Sequence, residues 1–538
     1  MNRTHIRIVR GLLLSAAVVL VTAGCTGNFE EYNRNPNETT DAELERDNYL
    51  VGSKLTALQN MVIPTEEHLN QFVEILAGDG YAGYAESTVD SWETKFSTFN
   101  PSVEWLKAPF VDVITETYPY YRGIVSRTDD EVLLALAKVL RVAIMHRVTD
   151  QYGPIPYTKI VENKKEQLTV AYDSQQEVYT QMFRELDEAL AALEANAALS
   201  TEALADYDLV YGGSIPKWIR FVNSLKLRMA MRLSYVDQTT AKARAREAID
   251  GGVITSNADN AQFKPTLNRS AMIWNDWQDH VVAADIIAYM NGYDDPRREK
   301  MFTSVTVIES VRDPESGQTV EVPRQVYQGL RVGVTPASAK TAKENCSFPV
   351  IDEKSPFLWI NAAEVAFLMA EYQLRWGTMA EAGALYKKGV ALSFEERGAG
   401  KADAYLADAT RKPAAFVDPL NAGHGFAARS TITPVWNDAD DAETALERII
   451  TQKWIAIFPL GNEAWAEYRR TGYPRLMPVP DSGNKSGGTV VAKWGARRIQ
   501  YPAQEYAENR THVEAAAATL TGGDNAGSRV WWDVKPLN

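Results

Sequence analysis

Apolar residues recur at helical spacing over most of the chain. Over residues 131–150 they follow a period of 3.6 and cover a face broad enough for a well-buried helix. Ser174 and Glu177 have the spacing of a capping box, in which each side chain accepts a free backbone N–H at the start of a helix. Residues 218–233 repeat the amphipathic pattern. These segments predict a helical scaffold over about 125–250.

A second block with helical pattern covers about 361–475. Within it, residues 361–376 and 378–395 predict an antiparallel helix hairpin with a one-turn loop. Gly383 and Ala384 are small, and we expect them to let the two helices approach closely. The hairpin is similar to a tetratricopeptide unit, although no strict repeat is visible along the chain.

The pattern changes between the two helical blocks. Residues Thr303–Ser310 and Thr319–Tyr327 alternate and are rich in valine and threonine, which predicts a β-hairpin. The stretches around 75–120 and 255–360 otherwise show no clear period. The sequence therefore predicts a mainly α-helical protein with a small β-hairpin and an irregular lobe, where binding residues tend to lie.

The first residues have the pattern of a secretory signal peptide over 1–24. Three arginines, Arg3, Arg7 and Arg10, precede an apolar run over 12–21. The apolar stretch is too short to cross the ~30 Å hydrocarbon core of a bilayer as a helix. We therefore expect this segment to direct secretion and then to be removed.

The residues around Cys25 resemble a bacterial lipobox, at which a signal peptidase cuts before the cysteine. Cys25 would then be the lipidated first residue of the mature protein, although Thr22 stands where the pattern prefers leucine. Residues 25–40 read as a polar tether, and Glu30 and Glu31 resemble a surface-export signal. Simple secretion without a lipid is the alternative.

Composition and charge exclude several classes of protein. The chain has 538 residues, of which 45% are hydrophobic and 23% charged, so a disordered or fibrous protein is excluded. The formal charge of −14 repels phosphate backbones, so nucleic acid is not an expected partner. With Cys25 lipidated, Cys346 is the remaining cysteine, and we expect it to be a buried free thiol.

No catalytic motif accompanies this composition. The six histidines include no pair at metal-binding spacing, and the sequence has no nucleophile elbow, phosphate-binding loop or dinucleotide fingerprint. We therefore predict no enzyme activity, no metal and no cofactor. Seventy acidic residues leave a glycosidase acid pair open, because such pairs are defined by spacing in three dimensions.

Two clusters of aromatic and polar residues lie in the irregular stretches. A pyranose ring stacks its apolar face on a flat aromatic ring, and its hydroxyls bond to nearby amides and carboxylates. The first cluster consists of Tyr81, Tyr84, Asp90, Trp92 and Asn100. The second consists of Trp274, Asp276, Trp277, Asn291 and Tyr293. We interpret both as candidate ligand contacts, and core packing is the alternative for each ring.

Four arginines in the helical blocks allow two interpretations. Arg228, Arg232, Arg469 and Arg470 could clamp a phosphate or carboxylate. Paired arginines on the helix surfaces of an acidic protein more often form salt bridges, and we favour that role.

Several sequence segments, in order along the chain, are shared with one known family. They are Phe29–Asn37, Arg147–Tyr157 with its Tyr-Gly-Pro-Ile-Pro-Tyr loop, Tyr172–Tyr179, Trp218–Arg232, Asp295–Arg297, Gln452–Trp454, Trp465–Pro474, Arg498–Glu505 and Trp531–Trp532. Together they resemble the SusD/RagB family of nutrient-binding outer-membrane lipoproteins, most closely its second SusD-like subgroup. The resemblance covers nearly the whole mature chain.

The resemblance implies an αα-superhelix of tetratricopeptide-like helix pairs with an irregular loop-rich lobe, in a single domain over 41–538. It also implies a non-catalytic lid, held in the outer membrane by its lipid and facing the outside of the cell. The lid would bind an oligosaccharide and pass it to a SusC-like TonB-dependent outer-membrane barrel. A peptide is the alternative ligand, and a surface glycan hydrolase or a purely structural partner is a third hypothesis.

Overall fold

Helices make up most of the regular structure of this protein. The computed structural model describes residues 49–162, 169–199, 202–314 and 317–537. Helices α1–α10 are Tyr49–Val62, Glu67–Asn70, Gly80–Ala82, Val113–Val125, Glu131–Tyr152, Thr158–Glu162, Gln175–Ala195, Glu202–Ala205, Ile215–Arg232 and Gln238–Asp250. Helices α11–α20 are Ala284–Tyr293, Arg298–Met301, Ala339–Asn345, Ala362–Trp376, Met379–Arg397, Asp403–Leu406, Ala442–Ala456, Gly461–Thr471, Ala503–Glu508 and Arg510–Ala518.

Shorter helical segments and small sheets complete the described residues. The π-helical segments are Gln71–Asp79, Ala108–Asp112 and Ile273–Trp277, and the 3-10 segments are Asn257–Asp259, Ala422–His424 and Asp481–Gly483. Strands β1–β6 are Ala85–Ser87, Ala261–Phe263, His280–Val282, Val305–Arg312, Thr319–Val326 and Phe357–Ile360. They form three antiparallel two-stranded sheets, β1 with β3, β2 with β6 and β4 with β5.

Sequential helices pack against one another as the periodicity predicts. The main pairs are α5 with α7, α9 with α10 and α14 with α15, which gives the mainly α, tetratricopeptide-like architecture. The predicted capping box is confirmed: the Ser174 hydroxyl accepts the Glu177 N–H at 3.3 Å, and the Glu177 carboxylate accepts the Ser174 N–H at 2.9 Å. The β4–β5 hairpin is also confirmed.

The helix hairpin α14–α15 forms as predicted, but a different glycine allows its close packing. A Cβ atom on Gly389 would lie 2.8 Å from the Phe367 ring of α14, so this position needs glycine. A Cβ atom on Gly383 would instead meet the Trp436 indole at 2.4 Å. Ala384 is exposed. The expectation for Gly383 and Ala384 was therefore wrong, because that face of α15 packs on a later loop or on solvent.

The structure tests the remaining sequence predictions only from residue 49 onward. The predicted signal peptide, Cys25 and the 25–40 tether lie outside the described residues, so the division of the chain into leader, tether and domain stays a prediction. Cys346 is a buried free thiol as expected, and burial raises its pKa to about 12. Within the described ranges, no helix is both long and apolar enough to cross a bilayer.

A network of buried ion pairs joins helices that are distant in sequence. Arg228 of α9 donates two N–H groups to the Glu364 carboxylate of α14, at 2.8 and 2.7 Å. Arg470 of α18 makes the same two-pronged contact with Glu371 of α14, at 2.6 Å for each N–H. Pairs with two parallel hydrogen bonds are strong and fix orientation, so both arginines hold their helices against α14.

Further charges connect these two pairs. The Lys453 ammonium of α17 lies 3.2 Å from Glu463 and 3.3 Å from Glu467, which are both on α18. It also lies 3.5 Å from Glu364. Arg232 of α9 bonds to both α18 glutamates. The network therefore joins the helical block around 125–250 to the block around 361–475.

Three of the four arginines form salt bridges, as the sequence predicts. They do so in the interior rather than on helix surfaces. Arg228, Arg232 and Arg470 are all at most 5% exposed. Arg469 differs, because its guanidinium donates to the main-chain carbonyls of Asp150 and Arg497, at 2.6 and 2.9 Å. The salt-bridge expectation for Arg469 was therefore wrong. Its guanidinium satisfies the Asp150 carbonyl near the end of α5 and the Arg497 carbonyl instead.

The network keeps its acids ionised. Burial acts to raise the pKa of Glu463, but the charges of Arg232, Lys453 and Arg228 outweigh burial and lower this pKa to about 2. Burial is likewise outweighed at Glu467, mainly by Arg470, so that its pKa is well below the usual range. An acid whose pKa is lower in the folded than in the unfolded protein stabilises the fold above its unfolded pKa.

We expect Glu371→Gln to destabilise the protein by about 3–5 kcal/mol, because it leaves Arg470 as a buried cation with one partner fewer. The measurement is urea unfolding at neutral pH. The control is Glu188→Gln, which removes the partially exposed pair that Glu188 forms with Lys138 at 2.6 Å. That change should cost less than about 1 kcal/mol. Equal costs for the two variants would show that the buried network does not hold the helices together.

Candidate functional site

The strands β1 and β3 bring the two predicted aromatic clusters together. Because β1 pairs antiparallel with β3, the loop that follows β1 starts beside the segment that precedes β3. Thr88, just after β1, donates its N–H to the Asp279 carbonyl at 2.8 Å. Its hydroxyl donates to the Gln278 carbonyl at 2.7 Å. The part of the first cluster that follows β1, from Asp90 to Asn100, and the segment Trp274–Trp277 before β3 therefore belong to one region of the structure.

The loop over 88–107 is held by a buried ion pair rather than by regular structure. The Lys95 ammonium lies 2.9 Å from Glu86, and both side chains are 1% exposed. The Glu86 carboxylate also accepts the Ser97 hydroxyl at 3.1 Å and the Gly333 N–H at 2.7 Å. A buried charge with this many partners fixes the loop, so the side chains that it carries are preorganised.

Aromatic rings from three segments meet at the surface beside this loop. The Trp92 and Trp105 rings lie edge to face, with 5.0 Å between their centroids. The Phe72 ring lies 5.8 Å from Trp105. The His68 ring lies 5.1 Å from Trp277. We name these five residues, Phe72, Trp92, Trp105, His68 and Trp277, the aromatic surface.

One helical segment connects the two groups of ring contacts. His68 and Phe72 are four residues apart on the continuous helical segment that begins with α2, so they lie on the same helix face. This places the His68–Trp277 pair next to the Phe72–Trp105 contact. The Trp92, Trp105 and Trp277 rings and the Phe72 ring are half-buried, and the His68 side chain is 64% exposed. Each ring therefore has partners on one side and solvent on the other.

Polar groups surround the aromatic surface. Asp90 is exposed, and its carboxylate accepts the Ala339 N–H at the start of α13 at 3.2 Å. Asp276 is exposed beside Trp277. Lys343 of α13 donates its ammonium to the Trp277 carbonyl at 3.0 Å. Charged groups of both signs thus border the rings, as recognition of a hydroxyl-rich ligand requires.

Asn100 contributes to the loop rather than to the rim. Its side-chain oxygen accepts the Thr98 hydroxyl at 2.6 Å. Its amide donates to the Glu93 carbonyl at 3.2 Å. These bonds close the turn that follows Lys95, so Asn100 supports the position of Trp92 from within the same loop.

Four of the predicted rings lie in the interior. Tyr81, Tyr84, Trp274 and Tyr293 are between 0% and 8% exposed. The Tyr84 hydroxyl donates to the Trp454 carbonyl, and its ring stacks on that indole at 5.4 Å. Burial raises the pKa of Tyr84 well above its usual range. None of these four rings presents a face to bulk solvent, so they are not part of the aromatic surface.

Asn291 lies in a different environment from the rings. Its amide donates to the Tyr327 carbonyl at 3.0 Å, directly after strand β5. Its side-chain oxygen accepts from Arg298 at 3.0 Å. The Tyr293 hydroxyl donates to the Ile432 carbonyl at 3.3 Å. Asn291 therefore supports the end of the β-hairpin, and Tyr293 packs in the interior against the segment around Ile432.

The sequence prediction missed Phe72, His68 and Trp105. Trp105 lies in the same irregular stretch as Trp92, and its position among polar turn residues could have suggested it. Phe72 and His68 lie on a helix whose exposed face carries no distinctive pattern. Only the pairing of β1 with β3 places that helix face beside the two tryptophan segments.

The aromatic surface offers little for acid–base catalysis. His280 lies beneath it, with its ring 6.0 Å from both Trp92 and Trp274. Burial lowers the pKa of His280 to about 3, so this ring is neutral and acts as packing. Glu66, Glu67 and His68 are the one group of close metal-type donors within the described ranges. The Glu66 carboxylate accepts the Leu69 N–H, and the Glu67 Oε1 atom pairs with Arg269, whereas the Glu67 Oε2 atom has no partner among the described residues.

Comparison with known proteins places the whole chain in one group. A family model described as "SusD-like: Susd and RagB outer membrane lipoprotein" matches residues 31–533. No curated protein matches the chain. A solved SusD homologue from Bacteroides thetaiotaomicron is 45% identical with a TM-score of 0.84, and the match covers 91% of this chain and 100% of that one.

Two further solved structures are similar over the same length. A SusD homologue from Bacteroides uniformis is 40% identical with a TM-score of 0.81, and the match covers 91% of this chain and 100% of that one. A chitin-binding SusD homologue from Flavobacterium johnsoniae is 34% identical with a TM-score of 0.82, over 90% of this chain and 99% of that one.

The difference between buried and half-buried tryptophans predicts different stabilities for two neighbouring variants. We expect Trp274→Ala to destabilise the protein by about 3–5 kcal/mol, because it leaves a cavity in the interior. Trp277→Ala should lower the free energy of unfolding by less than half as much, because the Trp277 ring already faces solvent on one side. Urea unfolding of both variants measures the difference. Equal costs would show that Trp277 is part of the core and not of the aromatic surface.

Proposed function

Since the chain belongs to the SusD-like family of outer-membrane lipoproteins, whose members bind ligands rather than act as enzymes, we propose that it captures an oligosaccharide at the cell surface. The observation that carries this proposal is the aromatic surface. It presents half-buried Trp92 and Trp105 rings on a loop that the Lys95–Glu86 pair holds in place.

The aromatic surface has the properties that stacking of sugar rings requires. A group of neighbouring rings offers several positions for consecutive sugar units, each of which presents an apolar face. Because the rings are packed against one another on one side, little side-chain freedom is lost when a ligand binds. The same surface is too open to enclose a ligand, which favours an extended chain over a single small molecule.

The polar rim supports the same ligand class. Asp90 and Asp276 can accept hydrogen bonds from sugar hydroxyls, and the Lys343 ammonium can donate to ring or hydroxyl oxygens. Such bonds replace bonds to water, so each contributes only about 0.5–1.5 kcal/mol. We therefore expect affinity in the micromolar to millimolar range, set mainly by the number of stacked units.

The chitin-binding homologue gives independent support for a glycan. It is 34% identical to this chain over nearly the whole length of both. A peptide is the alternative ligand, because aromatic rows with a charged rim also accept apolar side chains and main-chain amides. The exposed carboxylates Asp90 and Asp276 would then favour a basic peptide.

We further propose that the protein is anchored by a lipid on Cys25 and delivers its ligand to a SusC-like TonB-dependent transporter. The family description as an outer-membrane lipoprotein and the lipobox-like residues before Cys25 support the anchor. Delivery to a barrel follows the role that the family resemblance implies. The anchor would face the outside of the cell, where a nutrient glycan is available.

We expect Trp92→Ala and Trp105→Ala each to weaken oligosaccharide binding by about 10- to 30-fold, the usual effect of removing a central stacking ring. Calorimetry with chito-, cello- and malto-oligosaccharides and with a peptide mixture measures this. Trp376→Ala is the control, since it removes a half-buried tryptophan of α14 that packs edge to face with Tyr372 outside the aromatic surface. If only the peptides give binding heat, the protein does not bind these glycans and the glycan proposal is wrong. If both variants keep the wild-type affinity, the aromatic surface is not the binding site.

Cys25→Ala should move the protein from the membrane pellet to the soluble fraction after cell fractionation. The reason is that the thiol is the attachment point of the lipid, and without it no anchor remains in the proposal. Cys346→Ala is the matched control and should stay in the pellet, because that thiol is buried. Retention of the Cys25→Ala protein in the pellet would mean that a partner, and not a lipid, holds it at the membrane.

A further inference from the structure

A cavity of about 290 Å³ lies behind the aromatic surface. Its lining includes Asp79, at the end of the π-helical segment Gln71–Asp79. Trp274 and Phe357 form apolar parts of its wall. Val350 and Pro356 belong to the lining and are exposed, so the segment around 350–356 forms an opening to solvent.

Asp79 is an interior acid with one unpartnered carboxyl oxygen. The residue is 2% exposed, and its Oδ1 atom has no hydrogen-bond partner among the described residues. Burial and the nearby Glu74 charge raise the pKa of Asp79 well above its usual range, and the backbone N–H of Gly461 acts in the opposite direction. A buried polar atom left without a partner is costly, so its presence beside a cavity indicates a role.

Arg397 supplies a free donor to the same cavity. One of its terminal N–H groups bonds to the Phe458 carbonyl, whereas its Nε–H has no partner. In the part of the chain that the structure describes, Arg397 makes no ion pair. The neighbouring Glu396 carboxylate is occupied, because it accepts the amides of Asn260 at 2.9 Å and Asn361 at 2.7 Å.

The charges around the cavity balance without a ligand charge. Glu74 is paired with Arg147. Burial raises the pKa of Glu396, the adjacent charge of Arg397 acts in the opposite direction, and the opposite charges of these two neighbours offset each other. Asp79 is neutral when protonated, as its raised pKa favours. A charged ligand would therefore bring an uncompensated charge into the interior, which is costly. A neutral ligand that both donates and accepts hydrogen bonds fits the free groups.

The size of the cavity limits the ligand further. Its volume corresponds to that of about ten water molecules, which is comparable to a pyranose with about a dozen non-hydrogen atoms. The Trp274 wall offers an apolar surface, and Asp79 and Arg397 offer an acceptor and a donor for hydroxyl groups. We propose that this cavity is a second binding site, for one neutral, hydroxyl-rich molecule of single-sugar size.

The site lies beside the aromatic surface but does not depend on it. Trp274, which lines the cavity, is 6.0 Å from His280, and His280 is 6.0 Å from Trp92. The two sites therefore share a wall of rings, while their solvent-facing parts involve different residues. This proposal goes beyond the capture of an oligosaccharide at the aromatic surface. Either proposal can be correct if the other is wrong.

The test uses the whole mature protein and four probes: glucose and N-acetylglucosamine, which are neutral, and glucuronate and glucosamine, which are charged. We expect at least one neutral probe to raise the melting temperature and to bind at one site per chain by equilibrium dialysis. Trp92→Ala should keep this site. Asp79→Leu, with a side chain of similar volume, should lower the affinity for the neutral probe at least about tenfold. The variant should be as stable as the wild type or more stable, because a buried carboxyl with an unpartnered oxygen is removed.

A second variant tests the same site in case Asp79→Leu does not fold. Ser355 lies half-buried in the cavity lining next to the opening, and Ser355→Trp should block entry without changing Asp79. It should weaken binding of the neutral probe by the same factor or more. The proposal is overturned if neither neutral sugar binds wild-type protein, if charged probes bind equally well, or if both variants keep wild-type affinity. Loss of monosaccharide binding in Trp92→Ala would place the sugar on the aromatic surface instead.

Discussion

The buried charge network between α9, α14, α17 and α18 is the contact on which the rest of the structure depends. Taking charges out of water is costly unless every one of them is paired, so these helices can pack in one arrangement only. The acids Glu463 and Glu467 fix α18 against α9 and α17. The start of α18 then contacts the segment Gln71–Asp79, which carries Phe72: the Asn462 amide donates to the Val73 carbonyl at 2.9 Å and to Glu74 at 3.0 Å. The network is thus connected directly to the segment that carries one ring of the aromatic surface.

The two binding regions use this rigid support in different ways. The aromatic surface is open, and its rings are held by the Lys95–Glu86 pair below the loop, which suits consecutive units of a long ligand. The cavity behind it opens to solvent around residues 350–356, and Asp79 Oδ1 and Arg397 Nε have no partner among the described residues, which suits one small neutral molecule. Trp274 and His280 separate the two regions, so interior packing and ligand-facing surfaces are built from the same cluster of rings. The buried His280 ring is neutral, because burial lowers its pKa to about 3, and it acts as packing between the two regions.

The local sequence pattern was enough to predict the helices. It was not enough to distinguish buried aromatic rings from those that face solvent. The capping box at Ser174 and the α14–α15 hairpin follow from short-range spacing, so they could be read from the chain. Tyr84 and Trp92 lie in the same irregular stretch with similar neighbours, yet only Trp92 reaches solvent. The difference arises because Trp454, 370 positions later, accepts the Tyr84 hydroxyl. Contacts at that separation leave no trace in local spacing, and the same reason hid Phe72 and the interior position of Arg228.

The central claim is that the aromatic surface holds the sugar chain. The most direct measurement is a crystal structure of the protein in complex with whichever oligosaccharide gives heat in calorimetry. The account predicts sugar rings stacked on Trp92 and Trp105, with hydroxyls directed to the Asp90 and Asp276 carboxylates. An oligosaccharide bound to another face, with both indoles still open to solvent, would contradict it.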